Sequence, residues 1–193
     1  MSTVSTTSST NYAAPSSITT NSLSTSMTWS GFLGVTGVTD PNSDQATMAY
    51  DGLARPSTTT SPYGATTTYA YNDTASPPTH IATTNGHWVN NQLDGFGRTV
   101  QTTTGYGTSP NQTTISTVYT TYAPCGCSPL GKVSQVSQPW VSGSKYYTVY
   151  TYDGMGRPIS IAAPDGTSTQ STTHYVYKGN QVTVTDPANH AKT

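Results

Sequence analysis

The chain contains no glutamate, five leucines, two phenylalanines and two cysteines in 193 residues, and only 8% of it is charged. Each scarcity excludes something. Helices draw on long unbranched side chains such as Leu, Glu, Lys and Gln, so a largely helical fold has little material here. Disordered chains combine high net charge with few aromatics, whereas this one has a formal net charge of −1 and fourteen tyrosines. Seven basic against eight acidic residues leave no electrostatic footprint for nucleic acid or an anionic membrane. No apolar run approaches the roughly 20 residues of a membrane-spanning helix. The opening MSTVSTTSST has neither the basic nor the apolar region of a secretory leader, so secretion would make this chain a mature or excised piece. The cysteines, Cys125 and Cys127, are too few for a disulfide framework, and too few for a zinc site without histidines.

What the chain does have is hydroxyl. Serine and threonine make up about a third of it. Thr, Val and Tyr suit a pleated, half-buried surface. The expectation is an all-β protein with little or no helix, built as an array of hairpins forming a ribbon or spiral sheet.

Two parts are expected. Residues 1–28 are a Ser/Thr-rich low-complexity segment. Composition leaves three readings open: a flexible tail, a stalk bearing O-linked glycans, or strands packed against a neighbouring molecule. Residues 29–193 read as a hairpin array, open at its C-terminal end. Turn signals recur through it at Asp40-Pro41-Asn42, Asp51-Gly52, Pro62-Tyr63-Gly64, Asp94-Gly95, Asp153-Gly154 and Pro164-Asp165-Gly166. Asp-Gly favours a two-residue type I′ hairpin, in which both central residues take positive φ.

The scarce charges are placed with a pattern. All three arginines follow an aspartate by four residues: Asp51 and Arg55, Asp94 and Arg98, Asp153 and Arg157. A degenerate copy, Pro129-Leu130-Gly131-Lys132, has lysine in the arginine position. The basic residues of the four copies lie 43, 34 and 25 residues apart by their numbers, which fits a 25-residue unit carrying insertions. The aspartate can cap backbone N–H groups of its turn, and the arginine fork can bridge to that aspartate or to carbonyls of an adjacent hairpin. Tyr50, Tyr69, Tyr71, Tyr150, Tyr152, Tyr175 and Tyr177 fall near these turns, several at period two, and are expected to stack on equivalent tyrosines of neighbouring strands.

These residues resemble the YD-repeat (Rhs-repeat) family, whose unit has the form YxYDxxGRL, a short strand and a PDG turn. YTYDGMGRPISIAAPDG from Tyr150 to Gly166 matches nearly throughout, while LDGFGRTV and YDGLARPS match in part. VTDPNSDQA and VTVTDPANHA look like the stretch that precedes a unit. Together the matches cover roughly residues 36–193. Ala54 stands where glycine is usual and Leu93 where tyrosine is usual. Pro56 and Pro158 follow the arginine, and since proline lacks a ladder donor, their strands are expected at a sheet edge. The resemblance implies a long β-ribbon that coils into a hollow shell in larger relatives. It also implies bacterial surface or secreted proteins, some enclosing a toxic C-terminal domain. No segment resembles the self-cleaving core that closes such shells.

No catalytic constellation emerges. His80, His87, His174 and His190 lack metal-ligand spacing, the eight aspartates sit mostly beside turn signals, and no GxSxG elbow occurs. The sequence implies no cofactor. Cys125 and Cys127 are a candidate disulfide pair, bridged to each other or to other chains, and oxidising surroundings fit either arrangement. Asn72-Asp73-Thr74 and Asn111-Gln112-Thr113 match the N-glycosylation sequon. The functional expectation is a non-enzymatic, tyrosine-rich extracellular or cell-surface structural protein, self-associating through strand edges into a filament. The alternatives are a wall fragment of a larger toxin-enclosing shell and a glycan-binding adhesin.

Overall fold

The computed structural model describes residues 1–108, 111–166 and 170–193. Among these residues the chain is all-β, with seventeen strands and a single 3₁₀ turn at Ser8–Thr10. The chain divides into two compact units.

The first unit comprises Met1–Tyr71 and His80–Trp88. It carries β1 (Ser2–Thr6), β2 (Pro15–Thr20), β3 (Leu23–Trp29), β4 (Val35–Thr39), β5 (Gln45–Tyr50), β6 (Pro56–Thr60), nearly all of β7 (Thr66–Asn72), and most of β8 (Thr79–Thr84). Strands β1 to β7 pair antiparallel in chain order. Residues 1–28 are part of this array: β1 pairs with β2, β2 with β3, and β3 with β4.

The second unit comprises Asn72–Thr79 and Val89–Thr193. It takes most of β9 (His87–Leu93), then β10 (Thr99–Tyr106), β11 (Thr113–Cys125), β12 (Ser128–Ser137), β13 (Tyr147–Tyr152), β14 (Pro158–Pro164), β15 (Gln170–Lys178), β16 (Gln181–Thr185) and β17 (Ala191–Lys192). From β10 onward each strand again pairs antiparallel with the next.

The proline expectation needs correction. Strand β6 pairs with both β5 and β7, and β14 with both β13 and β15, so neither is an edge. Pro56 and Pro158 are tolerated because each is the first residue of its strand, where a missing N–H breaks little of the ladder.

Burial is shallow. Ala14 and Trp88 are the buried apolar residues among those described, and no described side chain is fully buried. The accessible surface is 12249 Å². Two separate globular domains of these sizes would expose about 10,600 Å² together. Along the strands, half-buried and exposed residues alternate, as in β5 and β7. Tyr50, Tyr69, Tyr71, Tyr152, Tyr175 and Tyr177 all occupy half-buried positions. With so little core, the sheet depends on what joins one hairpin to the next.

Candidate functional site

One turn recurs through the chain. It spans five residues and begins at Ser30, Asp40, Asp51, Ser61, Asp94, Asp153 and Asp186. In each, the first N–H donates to the fifth carbonyl at 2.8–3.0 Å, and the fourth N–H donates to the first carbonyl at 2.9–3.1 Å. The side-chain oxygen of the first residue accepts the fifth residue's N–H, at 2.8–3.1 Å. The fourth residue always has positive φ: Leu33, Ser43, Ala54, Gly64, Gly97, Gly156 and Asn189. This corrects the expected two-residue type I′ hairpin. Positive φ falls two residues after the Asp-Gly glycine, in the left-handed bulge position of a longer hairpin loop.

Three of these turns carry the clamp. Asp51 Oδ1 accepts the N–H groups of Leu53 and Arg55, each at 2.9 Å, and its Oδ2 accepts Arg55 Nε at 2.8 Å. Asp94 holds Phe96 N, Arg98 N and Arg98 Nε at 2.9, 3.0 and 2.7 Å. Asp153 holds Met155 N, Arg157 N and Arg157 Nε at 3.0, 2.9 and 2.7 Å. These donors keep all three carboxyls below the usual carboxylate range. The largest cause is the N–H of Arg55 or Arg157 for Asp51 and Asp153, and the Arg98 side chain for Asp94, each against partial desolvation. Asp186 follows the same plan, with His190 Nδ1 3.0 Å from its Oδ2. Lys132 closes the degenerate copy: Ser128 holds the aspartate position, its Oγ accepts Leu130 N at 3.3 Å, and Gly131 has φ +70°. Arg98 also reaches out of its own turn, its Nη1 donating to the Leu130 carbonyl.

The tyrosines complete the arrangement through arginines and backbone carbonyls. The ring centroids of Tyr71, Tyr122 and Tyr177 lie 4.0, 4.2 and 4.3 Å from the guanidinium carbons of Arg55, Arg98 and Arg157. Tyr50 meets Phe32 edge to face at 4.9 Å. A cation is attracted to the electron-rich face of an aromatic ring. The hydroxyls of Tyr50, Tyr71, Tyr122 and Tyr177 donate to the carbonyl of the residue just after a five-residue turn, and that of Tyr152 to a carbonyl within β12. Tyr50 reaches Val35 at 2.8 Å, Tyr71 reaches Pro56 at 2.9 Å and Tyr122 reaches Thr99 at 3.0 Å. Tyr152 reaches Val133 at 2.8 Å and Tyr177 reaches Pro158 at 3.0 Å. Trp29 donates its indole N–H to the carbonyl of Pro15, the first residue of β2, at 2.7 Å. Burial, with Tyr150 nearby, pushes the Tyr152 hydroxyl pKa up and keeps it a donor.

Each aromatic latch therefore ties one hairpin to the turn before it. Trp29, Tyr50 and Tyr152 immediately precede the next turn, so one residue ends a strand and fastens the previous repeat. The other tyrosines named from sequence lie outside the latch. Tyr69 approaches Thr59 Oγ1 at 3.4 Å, Tyr150 lines a surface cavity, and Tyr175 pairs with Val184 in the β15–β16 ladder. Sequence reasoning missed Ser30 and Ser61 as turn heads, and Trp29 and Tyr122 as latches. Cys125 and Cys127 form a disulfide with Cα atoms 5.1 Å apart. Among the described residues no group of acidic, histidine or cysteine side chains could hold a metal, and no helix is long and apolar enough to cross a membrane.

No protein-family model and no curated protein matches the sequence. Among solved structures, the chain is similar to one in the Photorhabdus luminescens Tc holotoxin pore carrying a TccC3 mutation. The TM-score is 0.61 and the identity 16%, over 88% of this chain and 9% of that one. A TcdB2–TccC3–Cdc42 structure aligns over 92% of this chain and 14% of its own at 10% identity, with a TM-score of 0.26, too low to argue from. This chain thus spans about a tenth of the length of the chains it resembles. What it shares with the holotoxin chain is a fold, that of an antiparallel β-hairpin array.

Proposed function

We propose that this chain is a non-enzymatic structural element of YD-type β repeats, which completes its packing by associating with further repeats. The observation that carries this is the pairing of six aromatic latches with almost no buried core. The latches hold side chain to backbone, hairpin by hairpin, and leave apolar side chains such as Val4, Leu23, Leu53 and Val176 more than 60% exposed. Surface of that kind is covered by more protein in repeat arrays. Low charge removes the usual barrier to such contacts. The intrachain disulfide fits an extracellular or cell-surface setting. Analytical ultracentrifugation with negative-stain electron microscopy tests the reading. Filaments or large oligomers at micromolar concentration are expected, and a stable soluble monomer would overturn it.

A second reading makes the chain a wall segment of a larger Rhs-type shell. It is favoured by the fold likeness to a chain in the Tc holotoxin pore, of which this chain covers only 9%. The intact mass of the native polypeptide separates the two readings. A mass of 20.3 kDa supports self-assembly, and a far larger one supports the shell.

A further inference from the structure

The Cys125–Cys127 bridge does not act as a staple. A disulfide stabilises a fold by closing a long loop of the unfolded chain, and the benefit shrinks with loop length. This one spans a single residue, Gly126, in the turn between β11 and β12. Those strands are already joined by the Ala123↔Lys132 and Cys125↔Ser128 pairs. Its surroundings are those of a reactive sulfur instead. Cys127 and Gly126 are exposed, and Cys125 is half-buried. The backbone N–H of Cys127 donates to Cys125 Sγ at 3.2 Å. Cys125 and Gly126 form one side of an open cavity of about 420 Å³, which Lys132, Tyr150 and Tyr152 also line. Cys127 Sγ and Lys132 Cε both stand over Gly156, so closely that a Cβ there would collide with the sulfur. Lys132 stands in the arginine position of the degenerate copy, where Ser128 takes the place of the aspartate.

From this geometry we propose that Cys125-Gly126-Cys127 is a thiol–disulfide exchange site that oxidises thiols reaching it from solvent. An incoming thiolate attacks the exposed Cys127 Sγ and forms a mixed disulfide. The Cys125–Cys127 bond breaks, and its electron pair leaves on Cys125 Sγ. The Cys127 N–H already points at that sulfur, and Lys132, which lines the same cavity as Cys125, supplies a cation that favours the thiolate, which then takes a proton from water. A second substrate thiolate attacks the substrate sulfur of the mixed disulfide and expels Cys127 as thiolate. Two thiols lose two electrons to become one disulfide, and the bridge becomes a dithiol. The substrate class is an accessible thiol, small or on a protein.

The oxidised full chain is mixed with reduced glutathione at neutral pH, quenched with acid, alkylated and mapped by peptide mass spectrometry. The expected product carries glutathione on Cys127 and the alkyl group on Cys125. Lys132→Gln, which keeps the side-chain length, is expected to slow formation of that product roughly threefold, as the leaving thiol becomes more basic. Equal labelling of the two sulfurs, or a reaction no faster than that of a free Cys-Gly-Cys peptide, would overturn the proposal. So would a Lys132→Gln rate equal to that of the parent chain.

Discussion

The hydroxyl of Tyr177 donates to the carbonyl of Pro158, nineteen residues earlier, while its ring lies 4.3 Å from the Arg157 guanidinium. One side chain thus satisfies a backbone acceptor and covers the cation of the same turn. Tyr177→Phe removes the first contact and keeps the second, at a cost of about 1 kcal/mol. Tyr177→Ala removes both and costs roughly 2 kcal/mol, less than a fully buried ring would. Urea unfolding of the two variants separates the contributions. Equal midpoints would show that the hydrogen bond carries all the effect.

Ala54 sits at φ 62°, in the position where the equivalent turns have Gly97 and Gly156. An L-residue there is strained, so Ala54→Gly is expected to stabilise the chain by roughly 0.5–1 kcal/mol. Gly156→Ala should destabilise by more than the reverse of this, because a Cβ at 156 also meets the Cys127 side chain. Thermal midpoints of the two variants should therefore move in opposite directions.

The clamp aspartates predict an acid limb. Asp51, Asp94 and Asp153 have carboxyls held below their ordinary value of 3.8 in the folded chain. A lowered folded pKa contributes stability that is fully present above the unfolded value. It is lost as pH falls through the folded one. Denaturant midpoints should be flat from neutral pH down to about 5 and fall below about 4. Asp153→Asn should shallow that acid limb. An unchanged acid limb would show that the lowered carboxyl does not contribute to stability.

Trp29 carries the same test into the hydroxyl-rich first segment. Its indole N–H is bonded to the Pro15 carbonyl at 2.7 Å, so Trp29→Phe should cost about 1 kcal/mol. Residues 15–29 should resist limited proteolysis in the parent chain. Rapid cleavage there would return the segment to the status of a tail.

Much of this architecture was legible because charge is rare. Against a background of Ser and Thr, three Asp/Arg pairs at a spacing of four stand out, and their turns are where the sequence placed them. The same background hid the turns at Ser30 and Ser61. Their hydroxyls accept the capping N–H as aspartate does, but nothing distinguishes them from the other serines. Period two showed that Tyr69 and Tyr71 share a face. It could not show that Tyr71 turns to Arg55, because that contact spans sixteen positions and depends on strand register. Tyr122 was hidden by the length of β10 and β11, which carry it 23 residues from the carbonyl it meets. The Asp-Gly pairs marked the loops correctly and their geometry wrongly, since the left-handed residue follows two positions later.

The latch separations are 14, 15, 15, 23, 19 and 19 residues, yet in every one an aromatic side chain donates to a backbone carbonyl of the strand before it. The extra residues lengthen strands, as in β10 and β11, or enter a connection such as 138–146, without disturbing the fastening. Sequence can therefore be added or exchanged there at little structural cost, whether by duplication in a genome or by grafting an epitope at the bench. What stays constant along this chain is the latch bond, while the number of residues between its two ends ranges from 14 to 23.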